Sequence, residues 1–104
     1  MTKRAPDGLP TRLDAAAVPR LNPHVRLQFN ALRGQWIVQA PERVLMPDDI
    51  AVAVLKRCDG SASIATIAQA LATEYNAPAD VVTSDVLELL QDLAEKGIIA
   101  DARA

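Results

Sequence analysis

Residues 25–47 read Val25-Arg26-Leu27-Gln28-Phe29-Asn30-Ala31-Leu32-Arg33-Gly34-Gln35-Trp36-Ile37-Val38-Gln39-Ala40-Pro41-Glu42-Arg43-Val44-Leu45-Met46-Pro47. Val25, Leu27 and Phe29 alternate with Arg26 and Gln28, the period-two pattern of a half-buried strand. Asn30 to Gly34 supply the Asn and Gly of a reversing connection. Gln35 to Ala40 is rich in β-formers, with Trp36 and Val38 on one face and Ile37 on the other. Pro41 cannot donate to a ladder and ends that strand. Glu42-Arg43 then turns the chain into a short third strand, Val44-Leu45-Met46, stopped by Pro47. The stretch predicts a three-stranded antiparallel sheet with at least one free edge.

Beyond Pro47 the apolar period becomes helical. Asp48 or Asp49 can cap a first helix in which Ile50, Val54 and Cys58 share a stripe, closed by Gly60. Ser63 can cap a second, with Ile64, Ile67, Ala68, Leu71 and Tyr75 on one face and Asn76 and Pro78 ending it. The third and longest begins near Ala79, carries Val82, Val86, Leu89, Leu90 and Leu93 at helical spacing, and meets a left-handed cap at Gly97. Ile98-Ile99 reads as a short extended piece. The fold class is therefore α+β, a three-stranded antiparallel sheet followed by a three-helix bundle.

Upstream, residues 1–18 hold Pro6, Gly8 and Pro10 with scattered charge and no apolar period, and read as a flexible tail. The folded domain is expected over residues 19–100, with a frayed terminus at 101–104. A chain of 104 residues, 50% hydrophobic, is sized for one core; only Phe29, Trp36 and Tyr75 are aromatic, so Leu, Ile, Val and Ala must fill it.

Composition also narrows function. A formal net charge of -2 gives no field to draw the chain onto a polyanion. A sheet with three helices suggests a helix-turn-helix, but the third helix carries Asp80, Asp85, Glu88, Asp92 and Glu95 against Lys96, the wrong sign for phosphate contacts, so nucleic acid is disfavoured. No apolar run approaches the roughly 20 residues of a membrane span, and the first residues do not resemble a signal peptide, so the cytoplasm is expected.

No catalytic or metal-ligating constellation emerges. His24 beside Pro23 reads as a solvated loop histidine, and Cys58, the only cysteine, as an inert core thiol. Asp59-Gly60-Ser61 could be likened to an acyl carrier's modified serine, but the carrier's Asp-Ser-Leu signature is missing and a helix cap explains the same residues. Trp36 reads either as a core anchor or as part of a contact surface, and Met46 as a gap-filler. Glu42 and Arg43 read equally as a turn pair or as residues that orient an incoming peptide.

Taken in order, Pro19-Arg20-Leu21, Arg26-Leu27, Trp36-Ile37-Val38, Pro41-Glu42-Arg43-Val44-Leu45, Cys58-Asp59-Gly60, Ile64, Ile67, Tyr75, Asp85-Val86, Leu90, Leu93 and Gly97-Ile98 resemble the PqqD family of pyrroloquinoline quinone (PQQ) biosynthesis, from about Pro19 to Ile99. Met46-Pro47-Asp48-Asp49 departs from it, standing where many relatives have a leucine and a small or polar helix start. The resemblance implies a winged helix-turn-helix-like domain that has no catalytic residue, cofactor or metal of its own. As a peptide chaperone it would bind the ribosomally made precursor PqqA and present it to the radical S-adenosylmethionine enzyme PqqE, which crosslinks a glutamate to a tyrosine. The same fold also serves as the recognition element of other ribosomal-peptide pathways.

An unpaired third strand suits that task, because an extended peptide can add to it as a further strand. The expected peptide site is Arg43, Val44, Leu45 and Met46 facing Asp85, Leu89, Asp92 and Leu93, while Trp36, Pro41, Glu42, Asp59, Gly60, Tyr75 and Gly97 serve the scaffold. Homodimerisation through the same edge would compete with peptide. The rivals, a winged-helix transcription regulator and a carrier loaded on Ser61 or Ser63, predict salt-dependent DNA binding and a prosthetic-group mass respectively.

Overall fold

Residues 12–103, the span that this computed structural model describes, contain eight elements: β1 (Pro19–Leu21), β2 (Arg26–Asn30), β3 (Gln35–Ala40), β4 (Arg43–Leu45), α1 (Asp49–Leu55), α2 (Ile64–Tyr75), α3 (Ala79–Glu95) and β5 (Ile99–Asp101). β2, β3 and β4 form the expected antiparallel sheet, with Leu27 opposite Val38 and Val38 opposite Leu45. Those three side chains share one face, as the period of two requires. Val38 is buried, and Leu27 and Leu45 pack partly buried against the core. The β2–β3 connection is an Asx turn in which the Asn30 side-chain oxygen accepts from the Leu32 and Arg33 amides.

The helix starts follow their caps. Asp48 Oδ1 accepts from the Ala51 amide at 2.8 Å and Ser63 Oγ from the Thr66 amide at 3.1 Å. Asn76 takes the left-handed conformation, φ 52°, that closes α2. Gly97, at φ 78°, follows α3 as expected.

Gly60 is a correction, because α1 ends at Leu55 with Lys56 as its C-cap, well before the glycine. Gly60 instead turns the chain at φ 82°, where its amide donates to the Pro19 carbonyl at 3.0 Å, beside an isolated bridge between Arg20 and Asp59. A Cβ there would meet Arg20 Cβ at an ordinary 3.6 Å, so the positive φ, and not lack of room, calls for glycine.

A second sheet went unanticipated. β1 and β5 form an antiparallel ribbon, Pro19 opposite Asp101 and Leu21 opposite Ile99. Its strands of three residues are too short to show an alternation. The expected tail and frayed end change accordingly. Residues 1–11 and 104 lie outside the described residues, but Leu13 and Ala17 are buried in the core and Asp101 belongs to β5. Main-chain bonds hold this segment, with the Ile64 and Ala65 amides, the orphan donors of the first turn of α2, given to the carbonyls of Ala17 and Ala15 at 2.8 and 2.9 Å.

The Asp101 carboxylate, only 4% exposed, accepts from the Val18 amide at 3.1 Å and pairs with Arg103 at 2.7 Å, and Arg103 also reaches Asp14 at 3.2 Å. Hydrogen bonds from Arg103, outweighing burial, hold its pKa down at about 2, against 3.8 ordinarily. A depressed carboxylate pKa stabilises the fold above the unfolded value and loses that contribution as pH falls from about 4 to about 2. The shift amounts to about 2 kcal/mol. Asp101→Asn should therefore lower the melting temperature by about 10 °C at pH 7 and change it little at pH 2. Thermal melts at the two pH values check this.

Candidate functional site

Among the described residues β4 pairs only with β3, so its outer edge presents unpaired amides and carbonyls. Leu45 turns toward the core, whereas Val44 and Met46 are 56% and 63% exposed. This alternation settles the register along the strand: the residues that point away from the core are Val44 and Met46.

Where β4 leaves the sheet, Pro47 and Asp48 run into an open pocket of about 560 Å³. Its walls come from the first turn of α1 through Ile50, the end of α2 through Tyr75, and α3 through Val82, Asp85 and Leu89, over a floor that includes Val54, Leu71 and Val86. The lining is mostly apolar with few polar groups, as ligand pockets tend to be.

Of the residues expected to face β4, the structure places Asp85 and Leu89 in this wall. Leu93 instead lies in the core, and Asp92 pairs with Lys96 at 2.8 Å beside a shallow depression that Arg12 and Leu13 also line. Arg43, Val44, Leu45 and Met46 border the approach and do not line the pocket.

Ile50 was missed. Its i, i+4 spacing to Val54 suggests a core position, yet it is 53% exposed, because it sits in the opening turn of a seven-residue helix. Tyr75, the last residue of α2, is likewise 48% exposed at the rim.

The scaffold residues divide. Trp36 is half-buried and lies edge-to-face on Phe29 with ring centroids 5.4 Å apart, while Lys56 Nζ stands 4.5 Å above its ring. Pro41 and Glu42 form the turn into β4. Asp59 accepts from the Ser61 amide and hydroxyl, which lower its pKa, and Ser63 is occupied as the α2 cap. Met46 Sδ accepts from Gln35 Nε2 at 3.2 Å. Among the described residues no three His, Cys, Asp or Glu side chains converge as a metal site, and no helix is long and apolar enough to cross a membrane.

Comparison with known proteins bears on this geometry. Residues 35–99 match the family model described as coenzyme PQQ synthesis protein D, PqqD. A PqqA binding protein of Rhodopseudomonas palustris strain BisB5 is 48% identical over 88 residues, covering 85% of this chain and 86% of that protein. The solution NMR structure of the PqqD truncation of Methylobacterium extorquens PqqCD, described as a functional, stand-alone recognition element for ribosomally synthesized and post-translationally modified peptides, superposes with a TM-score of 0.72 at 41% identity, over 83% of this chain and 92% of that one. Lasso peptide synthetase B1 complexed with the leader peptide shares the fold, with a TM-score of 0.69 at 24% identity over 80% and 98% of the two chains.

Cys58 lies outside the pocket wall, buried and donating to the Val54 carbonyl at 3.3 Å. Burial first, and the neighbouring Asp59 charge second, push its thiol pKa up to about 12. Since the thiolate is the reactive form, a thiol reagent at pH 8 should leave native Cys58 largely unmodified and label it within minutes in denaturant. Equal labelling rates in both conditions would contradict the buried placement.

Proposed function

The chain belongs to the PqqD family, and on that footing we propose that it is a peptide adaptor of PQQ biosynthesis, working in the cytoplasm, which binds the precursor PqqA as an added strand on β4 and presents it to the radical enzyme PqqE. The observation that carries this reading is the unpaired edge of β4 leading directly into an apolar pocket. Main-chain pairing supplies affinity that tolerates many sequences, and a side chain lowered into the pocket supplies selectivity.

Magnitudes favour that division. Fully burying one Val, Leu, Ile or Phe side chain yields about 1.5–3 kcal/mol, enough to raise a weak strand pairing by one or two orders of magnitude. In this reading the domain contributes no chemical step, and bond formation belongs to the enzyme that receives the peptide. A second copy pairing through β4 would occupy the same edge, so dimer and peptide complex exclude each other.

The relatives named as PqqA binding proteins make PqqA the first peptide to try. Titrating isotope-labelled protein with synthetic PqqA should give saturable amide shifts at Val44 to Met46, Ile50, Asp85 and Leu89. No shift at submillimolar peptide would sink the proposal. Ile50→Asp, at a half-exposed position, should weaken PqqA binding at least tenfold with little change in melting temperature, read by calorimetry and thermal melts.

A further inference from the structure

Two charges flank the path that the proposed strand would take. Two carboxylates line the pocket, Asp48 and Asp85. That of Asp48 is committed to the Ala51 amide at the start of α1. Among the described residues the Asp85 side chain has no hydrogen-bond or ion-pair partner, although it is exposed beside the apolar residues Ile50, Val82 and Leu89.

At the other end of β4, Arg43 is exposed and likewise without an ion-pair partner among the described residues. Pro47 in the pocket wall is four residues beyond Arg43, a span of about 13 Å at the rise of an extended chain. Arg43 and Asp85, of opposite sign, thus lie toward the two ends of that span, with Glu42, also exposed and without an ion-pair partner among the described residues, directly beside Arg43.

Resting on the peptide-adaptor reading, we propose that Asp85 and Arg43 determine which peptide binds and in which direction: the bound strand carries a Lys or Arg beside its apolar anchor, against Asp85, and an Asp or Glu about four residues away, against Arg43. An apolar pocket alone accepts either chain direction and several registers. Opposite charges at the two ends distinguish them, because a reversed strand places like charges together and a shifted one takes each charge away from its partner. Glu88, in the next turn of α3, has the same sign as Asp85 but lines the depression around Asp92 and not the pocket. Pairing antiparallel to β4 puts the peptide's basic residue N-terminal to its acidic one, and parallel pairing reverses that order.

The test is a charge scan of synthetic PqqA, each Lys, Arg, Asp and Glu replaced singly by Gln, against the wild-type chain, Asp85→Asn and Arg43→Gln, with affinities measured calorimetrically at low salt. One basic residue should matter about two- to fivefold for the wild type and not for Asp85→Asn, and one acidic residue should behave likewise with Arg43→Gln, the range expected of exposed ion pairs. Their separation should be about four residues, and 0.5 M salt should erase both effects. Asp85→Asn binding PqqA as tightly as wild type, or losses that simply add without coupling, overturns the charge reading while leaving the adaptor reading intact. Wild-type protein that fails to bind PqqA at all overturns both.

Discussion

The terminal clasp governs what the rest of the molecule is free to do. β1 and β5 bring the two ends of the domain together, and the buried Asp101 carboxylate joins the Val18 amide to Arg103 and, through it, to Asp14. The carbonyls of Ala15 and Ala17 take the first free amides of α2, while Leu13, Ala17, Ile98 and Ile99 close the core from the same side. With both terminal strands spent on their own ribbon, neither covers β4. Among the described residues the outer edge of β4 is left without a partner strand.

Leaving an edge open carries a risk of pairing with the wrong chain, and β4 shows the devices that limit it. The strand is three residues long, begins at a charged Arg43, and is followed two residues past its end by Pro47, which has no amide to give. A short added strand forms too few main-chain bonds to be stable by itself. Under the proposed strand addition, binding would then depend on what lies past Pro47, with the pocket as the condition for using the edge.

The sequence made the regular parts of this architecture legible. Period-two alternation located β2 and β3, the flanking prolines located β4 to within one residue, and Ser63 and Asn76 marked helix ends where the structure has them, with Asp48 the one of the two candidate caps that serves α1. Residues 12–18 and β1 stayed hidden because main-chain bonds and side chains distant in sequence, Gln91, Asp101 and Arg103, hold them, while Leu13 and Ala17 are too few to show an apolar period. Gly60 was legible as a positive-φ position but not as to which turn required it. Of the α3 residues expected at the site, Asp85 and Leu89 line the pocket and Asp92 and Leu93 do not. Spacing names the side of a helix; how far along that side the neighbouring helices leave a gap is a tertiary fact. Ile50 was lost for the same reason, since nothing local says that the first turn of α1 projects beyond the core. The family, by contrast, was legible from the ordered motifs, because resemblance sums many weak positions that no single physical argument weighs together.

The pocket is assembled from element ends. Ile50 stands in the first turn of α1, Tyr75 is the last residue of α2, and Val82 and Asp85 lie in the opening turns of α3, all at least partly exposed, whereas Ile64, Ile67, Leu90 and Ile98 are wholly buried beneath. Exchanging a half-exposed side chain perturbs stability far less than cutting into a packed core. The rim of the pocket can therefore change at little cost to stability, whereas its floor, Val54, Leu71 and Val86, belongs to the core. The fold itself persists at 24% identity in lasso peptide synthetase B1.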